Sequence, residues 1–187
     1  MKIMTVFGSP RAKGNTAKVL GWVEEKLEAD GHEVGRANVV DYRIAGCVEC
    51  YSCKRENAEL CAIDDDANGL YRRMIDADLV LLAAPLFCWG FPAQMKALID
   101  RMFCLADDAT ANPDYDTRIK GKPLALLVTS AGPIENNADI LAKVFDALVD
   151  YLKARNAGHL LVPFCTTPDA LGDDAKAKAV AFAKGLA

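Results

Sequence analysis

The chain has 187 residues, of which 52% are hydrophobic and 26% charged; this excludes intrinsic disorder and favours one globular domain. A net charge of −4 and an isoelectric point near 5.2 argue against nucleic acid or an anionic membrane as the main partner. No apolar run reaches the ~20 residues of a membrane span, and the short N-terminal run is interpreted as a strand, not a signal peptide. Seven cysteines without an export signal predict thiols or ligands in a cytoplasmic protein.

The first stretch of the chain reads as a strand, a loop of small residues and the start of a helix. Ile3–Phe7 is an apolar run typical of a strand buried on both faces, and Asn15–Ala29 has apolar residues at helical spacing. The loop Gly8–Thr16 between them should direct backbone N–H groups and the positive end of the helix dipole to one point. Arg11 adds a planar charged group that can bind a phosphate from two sides. We predict a phosphate-binding loop, with an ordinary strand–helix turn as the alternative; its binding residues are Ser9, Arg11, Gly14, Asn15 and Thr16.

Strands and helices alternate along the rest of the chain. The predicted strands are Ile3–Phe7, Glu33–Val40, Leu79–Ala84, Leu124–Ser130 and His159–Phe164, and the predicted helices are Asn15–Ala29, 65–76, 92–105, Ile140–Leu152 and Asp173–Leu186. This alternation predicts a parallel sheet covered by helices on both faces. Five strands fit a flavodoxin-like, three-layer doubly wound sandwich with strand order 2-1-3-4-5. We expect one domain over residues 1–187, with a cysteine-rich insertion at about 41–66.

The phosphate loop has neither the Walker spacing nor the dinucleotide fingerprint. Its G-S-P-R sequence, followed by a small residue, Asn and Thr, resembles the NADPH-dependent FMN reductases among the flavodoxin-like flavoproteins. Lys96, Ile99, Asp100 and Arg101 match the K-x-x-I-D-R pattern of that family, and the resemblance spans roughly residues 1–165. It implies an FMN-dependent oxidoreductase with NAD(P)H as co-substrate, a small-molecule or ferredoxin-like redox partner, and a homodimer or homotetramer. No side chain need act as acid or base in such chemistry, so no catalytic residue is predicted.

Two further loops follow predicted strands at the same edge of the sheet, where ligands bind in such folds. The first, P-L-F-C-W-G-F-P, is rich in groups that suit the face and edge of an isoalloxazine ring, although its aromatic residues could instead belong to the core or an interface. The second contains hydroxyls and a glycine. The predicted binding residues are Pro85, Leu86, Phe87, Cys88, Trp89, Gly90, Thr129, Ser130 and Gly132.

Four cysteines in the insertion have the spacing C-x2-C-x2-C-x7-C: Cys47, Cys50, Cys53 and Cys61. Compact runs of this type suit a [4Fe–4S] cluster, whereas zinc more often uses two separated pairs; metal-free thiols are the third alternative. The pattern resembles the iron–sulfur flavoproteins, a branch of the same family, which implies a cluster on these cysteines and single-electron exchange with ferredoxin-like partners. Related flavin reductases share much of this motif, including C-x-I-x-D-D over residues 61–66, without evident use of a cluster.

The other cysteines and the histidines carry weaker signals. Cys88, Cys104 and Cys165 are interpreted as packing residues, and both histidines, His32 and His159, as surface residues that precede strands. No histidine accompanies a nucleophile, so hydrolase chemistry has little support. Two alternatives to the cluster-containing flavoprotein stay open. One is a cluster-free NAD(P)H-dependent FMN, quinone or azo-type reductase, and the other is a non-catalytic redox sensor or electron carrier.

Overall fold

A five-stranded parallel sheet runs through the molecule in the predicted order 2-1-3-4-5, which confirms the flavodoxin-like fold. The computed structural model describes residues 1–55, 57–107, 114–167 and 170–186. Its strands are β1 Lys2–Phe7, β2 Glu33–Asn38, β3 Leu79–Pro85, β4 Pro123–Thr129 and β5 Arg155–Val162. Its α-helices are α1 Asn15–Ala29, α2 Ala67–Asp76, α3 Ala93–Asp100, α4 Asp139–Tyr151 and α5 Asp173–Leu186. None of the described helices is both long and apolar enough to span a bilayer.

Two hydrophobic layers cover the two faces of this sheet. On the central strand β3, Leu79 and Leu81 belong to the layer that contains α1 and α5, while Val80 and Leu82 belong to the layer that contains α2, α3 and α4. Alternate side chains of a strand point to opposite faces, so a strand covered on both sides needs apolar residues at every position. This is why β3 is an unbroken apolar run in the sequence, and why its carboxyl end is held firmly enough to position a loop.

The largest error in the sequence-based boundaries concerns β5. The prediction was His159–Phe164, but the strand runs from Arg155 to Val162. As the last strand of the sheet it pairs only with β4, so its outer side tolerates polar residues such as Arg155 that an apolar pattern does not reveal. His159 therefore lies inside the strand, with its Nε2 atom 2.9 Å from an Asp146 carboxylate oxygen. Pro163, which lacks an N–H group, directly follows the strand.

Other boundaries differ less. The bounds of α1 and α5 are those predicted, and β2 lies at the sheet edge as expected but ends at Asn38. The predicted helix 92–105 has two parts, because α3 ends at Asp100 and a 3-10 turn continues over Arg101–Leu105. That turn lies under the cysteine-rich segment, and Arg101 is its first residue.

Candidate cofactor cleft and cysteine pocket

The loop between β1 and α1 is closed by its own backbone and anchored to the sheet. The Gly8 N–H group donates to the Ala83 carbonyl at 2.8 Å, and the Gly14 N–H group donates to the Arg11 carbonyl at 3.2 Å. Ser9 is buried, and its hydroxyl accepts a hydrogen bond from the Arg11 N–H group at 3.2 Å. The helix then begins at Asn15 without a side-chain cap, so its first-turn N–H groups and dipole are available to an anion.

Three loops meet at this helix start, as the sequence predicts. The Thr16 and Thr129 hydroxyls share a hydrogen bond of 2.7 Å, and the Leu86 N–H group donates to the Thr129 carbonyl at 2.8 Å. The resulting cleft, which we call the cofactor cleft, has a volume of about 120 Å³. It is lined by Ser9, Arg11, Gly14, Asn15, Thr16, Pro85, Leu86, Phe87, Thr129, Ser130, Ala131 and Cys165.

A fourth loop, which sequence reasoning missed, completes the cleft. The buried Asn15 amide donates to the carbonyls of Cys165 and Thr167, both at 3.0 Å, and so connects the phosphate loop to the segment after β5. The position of this segment after a fifth parallel strand could have revealed it. The Asn15 Oδ1 atom is buried and has no hydrogen-bond partner among the described residues. A buried acceptor without a hydrogen-bond partner costs free energy. A bound ligand with a hydrogen-bond donor could remove this cost by bonding to Asn15 Oδ1.

The aromatic loop after β3 contributes less to the cleft than predicted. Phe87 and Gly90 exchange backbone hydrogen bonds of 3.1 and 2.9 Å across a tight turn, in which Cys88 and Trp89 have positive φ angles of 47° and 59°. This geometry is that of a type I′ hairpin. Phe87 lines the cleft, but Cys88, Trp89 and Gly90 do not. Cys88 is exposed, so its expected role as a small buried residue is wrong, and Trp89 is 58% exposed.

Gly132 supports the third loop from behind the cleft. Its carbonyl accepts a hydrogen bond from the Ser130 hydroxyl at 2.9 Å, and it is not among the lining residues. A Cβ atom at this position would lie 2.8 Å from the Asn137 amide nitrogen. A side chain at position 132 would therefore require the end of the Asn137 side chain to move.

The four cysteines of the insertion line a second, larger space, which we call the cysteine pocket. Its volume is about 400 Å³, and Cys47, Cys50, Cys53 and Cys61 all border it as free thiols. Glu49 and Tyr51, which flank Cys50, have left-handed backbone angles, with φ of 51° and 53°. These two bends turn the chain around the pocket. Cys104 also borders it, but burial raises the pKa of Cys104 to about 12 and disfavours the thiolate that a metal requires.

The donor set of the cysteine pocket fits an iron–sulfur cluster chemically. Among the described residues, no group of three or more histidine, cysteine or acidic side chains is arranged around one metal ion. A four-iron cluster takes one thiolate at each corner, and the four insertion cysteines supply that number around a single space. The pKa of Cys50 is lowered because the Ser52 amide and hydroxyl donate to its sulfur, while burial raises the pKa of Cys53.

A buried ion pair connects the insertion to the 3-10 turn after α3. Arg101 Nη1 lies 2.6 Å from Asp65 Oδ2, and both side chains are at most 3% exposed. Arg101 also donates to the Ala45 carbonyl at 3.1 Å. Burial by itself raises the pKa of Asp65, but hydrogen bonds from Arg101 and from the N–H groups of Ala45 and Ala67 outweigh it and hold the pKa below its usual value. Sequence reasoning identified Arg101 only through the resemblance and gave it no role.

Further contacts hold the cysteine segment on the same turn. Lys54 donates to the Phe103 carbonyl at 2.6 Å and to the Asp107 carbonyl at 3.0 Å, and its ammonium group lies 3.9 Å from the centre of the Phe103 ring. Tyr51 packs edge-on against the same ring, with 6.1 Å between centroids. The Asn68 side chain bonds both the N–H group and the carbonyl of Cys61, at 3.1 and 2.7 Å. These polar contacts add to the apolar packing of Leu60, Cys53 and Cys61 against the core.

A family model built for NADPH-dependent FMN reductases matches residues 1–166 of this chain. The chain belongs to the NADPH-dependent FMN reductase family. One relative of this chain, an iron–sulfur flavoprotein of Methanosarcina thermophila, is 36% identical to it over 105 residues. The matched region covers 56% of this chain and 54% of the relative. An iron–sulfur flavoprotein of Archaeoglobus fulgidus is 34% identical over 115 residues, which cover 62% of this chain and 51% of the relative. The matched part thus spans about half the length of these curated relatives.

The fold is also that of solved proteins with little sequence similarity. The structure of an FMN-dependent NADH-azoreductase from Bacillus anthracis in complex with FMN superposes with a TM-score of 0.73 over 98% of both chains, at 14% identity. At such low sequence identity, the superposition shows only that the two proteins share a fold. The resemblance to FMN reductases and iron–sulfur flavoproteins noted in the sequence is confirmed by the family match and the relatives.

Proposed function

We propose that this chain is an FMN-dependent oxidoreductase that takes electrons from NAD(P)H. The observation that carries the proposal is the cofactor cleft at the carboxyl ends of β1, β3 and β4. There the uncapped start of α1, the hydroxyls of Ser9 and Thr16, and Arg11 come together. Membership of the FMN reductase family supports FMN as the ligand, as does the FMN bound by the azoreductase neighbour. When bound, FMN supplies the chemistry of accepting a hydride and passing the electrons on.

Different residues of the cleft would bind different parts of FMN. Ser9, Arg11 and Thr16, with the first-turn N–H groups of α1, would hold the phosphate. Leu86 and Phe87 would offer apolar surface to the ring, and residues 129–131 line the same cleft. The Asn15 amide and the Thr16–Thr129 hydrogen bond hold these loops together through contacts within the protein. A prearranged cleft reduces the entropy lost on binding.

The nature of the flavin provides the first test. We expect purified protein to be yellow and to release FMN, not FAD, on denaturation, because the family model that matches this chain is that of FMN reductases. Chromatography and fluorescence of the released flavin distinguish the two. Colourless protein that does not quench the fluorescence of added FMN would overturn the flavin proposal.

We also propose that Cys47, Cys50, Cys53 and Cys61 hold a [4Fe–4S] cluster. Their common pocket and the iron–sulfur flavoprotein relatives support this assignment. A cluster would supply single-electron exchange, which suits a ferredoxin-like partner, whereas two-electron reduction of a small-molecule acceptor needs FMN alone. The exposure of Cys47 and Cys50 favours the second candidate, a cluster-free NAD(P)H-dependent quinone or azo-type reductase.

Iron and labile-sulfide analysis after anaerobic reconstitution separates these candidates. With a cluster, changing any of the four ligands to serine should remove the iron–sulfur absorption while FMN is retained, because the two sites occupy different loops. Cys88→Ser is the matched control, since Cys88 is also exposed but lies outside the cysteine pocket. Background iron in the unchanged protein would leave the cluster-free reductase as the function.

We propose further that residues 1–187 act as one FMN-binding domain and that the protein assembles as a homodimer or homotetramer. Large exposed apolar side chains near the cleft, Phe87 and Trp89, provide surface for such an assembly. Light scattering of the FMN-loaded protein measures its mass directly. A monomer at micromolar concentration would contradict the oligomer.

A further inference from the structure

Arg101 has hydrogen-bonding capacity that the protein does not use. Its side chain is fully buried, and Nη1 is occupied by Asp65 and the Ala45 carbonyl. Its Nε and Nη2 atoms, however, are buried without a hydrogen-bond partner among the described residues. Leaving the donors of a buried charged group without partners costs more free energy than leaving those of a neutral group without partners. Two such donors on one side chain therefore point to a missing acceptor.

Asp65 does not accept hydrogen bonds from the remaining donors, Nε and Nη2. Its Oδ2 atom already accepts from Arg101 Nη1 and from the Ala45 N–H group at 2.8 Å, and its Oδ1 atom accepts from the Ala67 N–H group at 3.1 Å. Arg101 borders the cysteine pocket, whereas Asp65 is not among its lining residues. The ion pair is thus oriented with its positive member on the pocket side and its negative member behind.

Arg101 is also the only basic side chain among the described residues that line the cysteine pocket. The pocket's other charged lining residues, Glu49 and Asp100, are acidic. The guanidinium group of an arginine stays protonated in proteins, and that of Arg101 is paired with Asp65. A permanent buried cation thus borders a space enclosed by four thiols.

We propose that Arg101 is the hydrogen-bond donor and counter-charge for a sulfur-rich anion in the cysteine pocket, namely the thiolates and sulfides of the iron–sulfur cluster. This inference rests on the cluster in the proposed function. Such a cluster with four thiolates is negatively charged and becomes more so when it accepts an electron. A fixed positive charge beside it stabilises the reduced form more than the oxidised form. Arg101 therefore raises the cluster's reduction potential, and Asp65 positions Arg101.

The test is a redox titration of anaerobically reconstituted full-length protein, followed by the electron paramagnetic resonance of the cluster. Asp65→Asn removes the negative charge behind Arg101 and should raise the potential. Arg101→Met combined with Asp65→Asn removes the positive charge from the pocket without leaving a buried carboxylate, and should lower the potential. We expect each shift to change the ratio of reduced to oxidised cluster about tenfold, which corresponds to ~59 mV for one electron.

Matched variants separate an electrostatic role from a structural one. Arg101→Lys keeps the charge but not the planar fork, so its potential should lie closer to that of the unchanged protein than the double variant's does. FMN content serves as the folding control, because the cofactor cleft shares no lining residue with the cysteine pocket. A double variant that keeps FMN but loses iron, while Arg101→Lys retains iron, would also support Arg101 as a partner of the cluster. Loss of iron in both variants would show a structural role instead and would overturn the electrostatic one.

Two negative results are distinguishable. If the unchanged protein binds FMN but takes up no iron, the cluster is overturned and the role of Arg101 falls with it. If the unchanged protein holds a cluster and neither Asp65→Asn nor the double variant moves its potential, the cluster stands and the role of Arg101 is overturned. Shifts of the same sign in both variants would likewise contradict it, because the charge argument requires opposite signs.

Discussion

The cofactor cleft and the cysteine pocket are built on different physical principles. The cleft lies at the ends of β1, β3 and β4, whose side chains are buried in two hydrophobic layers, and the Thr16–Thr129 hydrogen bond joins its loops. The cysteine pocket lies on a segment that, among its described residues from 42 to 66, has only a short 3-10 turn, Ser52–Lys54. The Arg101–Asp65 pair and the Lys54 contacts connect that segment to the rest of the protein. Sheet packing thus positions one site, and buried charge positions the other.

This contrast implies that the two sites respond differently to the loss of a single polar contact. A site on strand ends should survive changes in any one polar contact, because the core still holds its loops. A site held by a few buried polar contacts should depend strongly on each of them, since losing one partner leaves the other buried and unmet. The predictions below test that difference, beginning with the largest expected effect.

Breaking the buried ion pair should have the largest effect on stability. Arg101→Met leaves the Asp65 carboxylate buried without its cation, and we expect a loss of about 3–5 kcal/mol in the free energy of unfolding. Denaturant unfolding of metal-free protein measures it. The exposed pair of Lys96 and Asp100 is the control, because Lys96→Gln should cost about 0.5 kcal/mol or less. Equal costs in the two variants would refute the view that buried charge anchors the insertion.

Replacing Arg11 in the phosphate loop should weaken the binding of FMN and leave the fold intact. Arg11 is exposed at the cleft, and Arg11→Ala should weaken FMN binding by about 1.5–3 kcal/mol, the range for hydrogen bonds to charged groups. Riboflavin, which lacks the phosphate, should bind equally to both proteins. Fluorescence titration with each ligand gives the comparison, and equal losses for both would mean that Arg11 acts through folding.

Close packing under the phosphate loop offers the next test. A Cβ atom at Gly8 would lie 2.4 Å from Met95 Sδ and 2.9 Å from Met95 Cβ, so Gly8→Ala should destabilise the protein by about 1–3 kcal/mol. Gly21→Ala, in the interior of α1 with nothing within 4 Å of the added atom, should instead stabilise it by about 0.5–1 kcal/mol. Thermal unfolding of both variants should shift in opposite directions; a stable Gly8→Ala protein would show that the cleft does not depend on this contact.

The smallest expected effect is a difference in pH dependence. The pKa of Asp65 is lower in the folded protein than in the unfolded chain, so its contribution to stability is present above about pH 4 and is lost as the pH falls through the folded pKa. The double variant of Arg101→Met with Asp65→Asn has no such carboxyl and should lose less stability between pH 7 and pH 3. Urea unfolding at both pH values measures the difference. Parallel losses in the two proteins would contradict the assignment.

The sequence anticipated the cofactor cleft better than the cysteine pocket. Buried strands such as Leu79–Pro85 carry their own apolar signal, and the loops that follow them meet at one edge by the geometry of parallel sheets. Asn15 and Thr16 could therefore be predicted as neighbours of Thr129 from strand ends alone. Cys165 was missed because β5 is an edge strand with a polar start. The sequence does not reveal that Cys88 and Trp89 lie outside the lining of the cleft, because the tight turn that holds them depends on backbone angles.

By itself, the sequence determined the alternation of strands and helices, the glycine-containing loop after β1 and the regular spacing of four cysteines, because each depends on local composition and periodicity. Only the tertiary structure decided that those cysteines border one pocket and that Arg101 lies beside them with two donors unused. Arg101 and Asp65 are 36 residues apart, and neither lies in a pattern that specifies its partner. Burial of such a pair depends on how the insertion packs against the turn after α3. Contacts between distant segments are set by the packing of the whole chain, and no local signal encodes them.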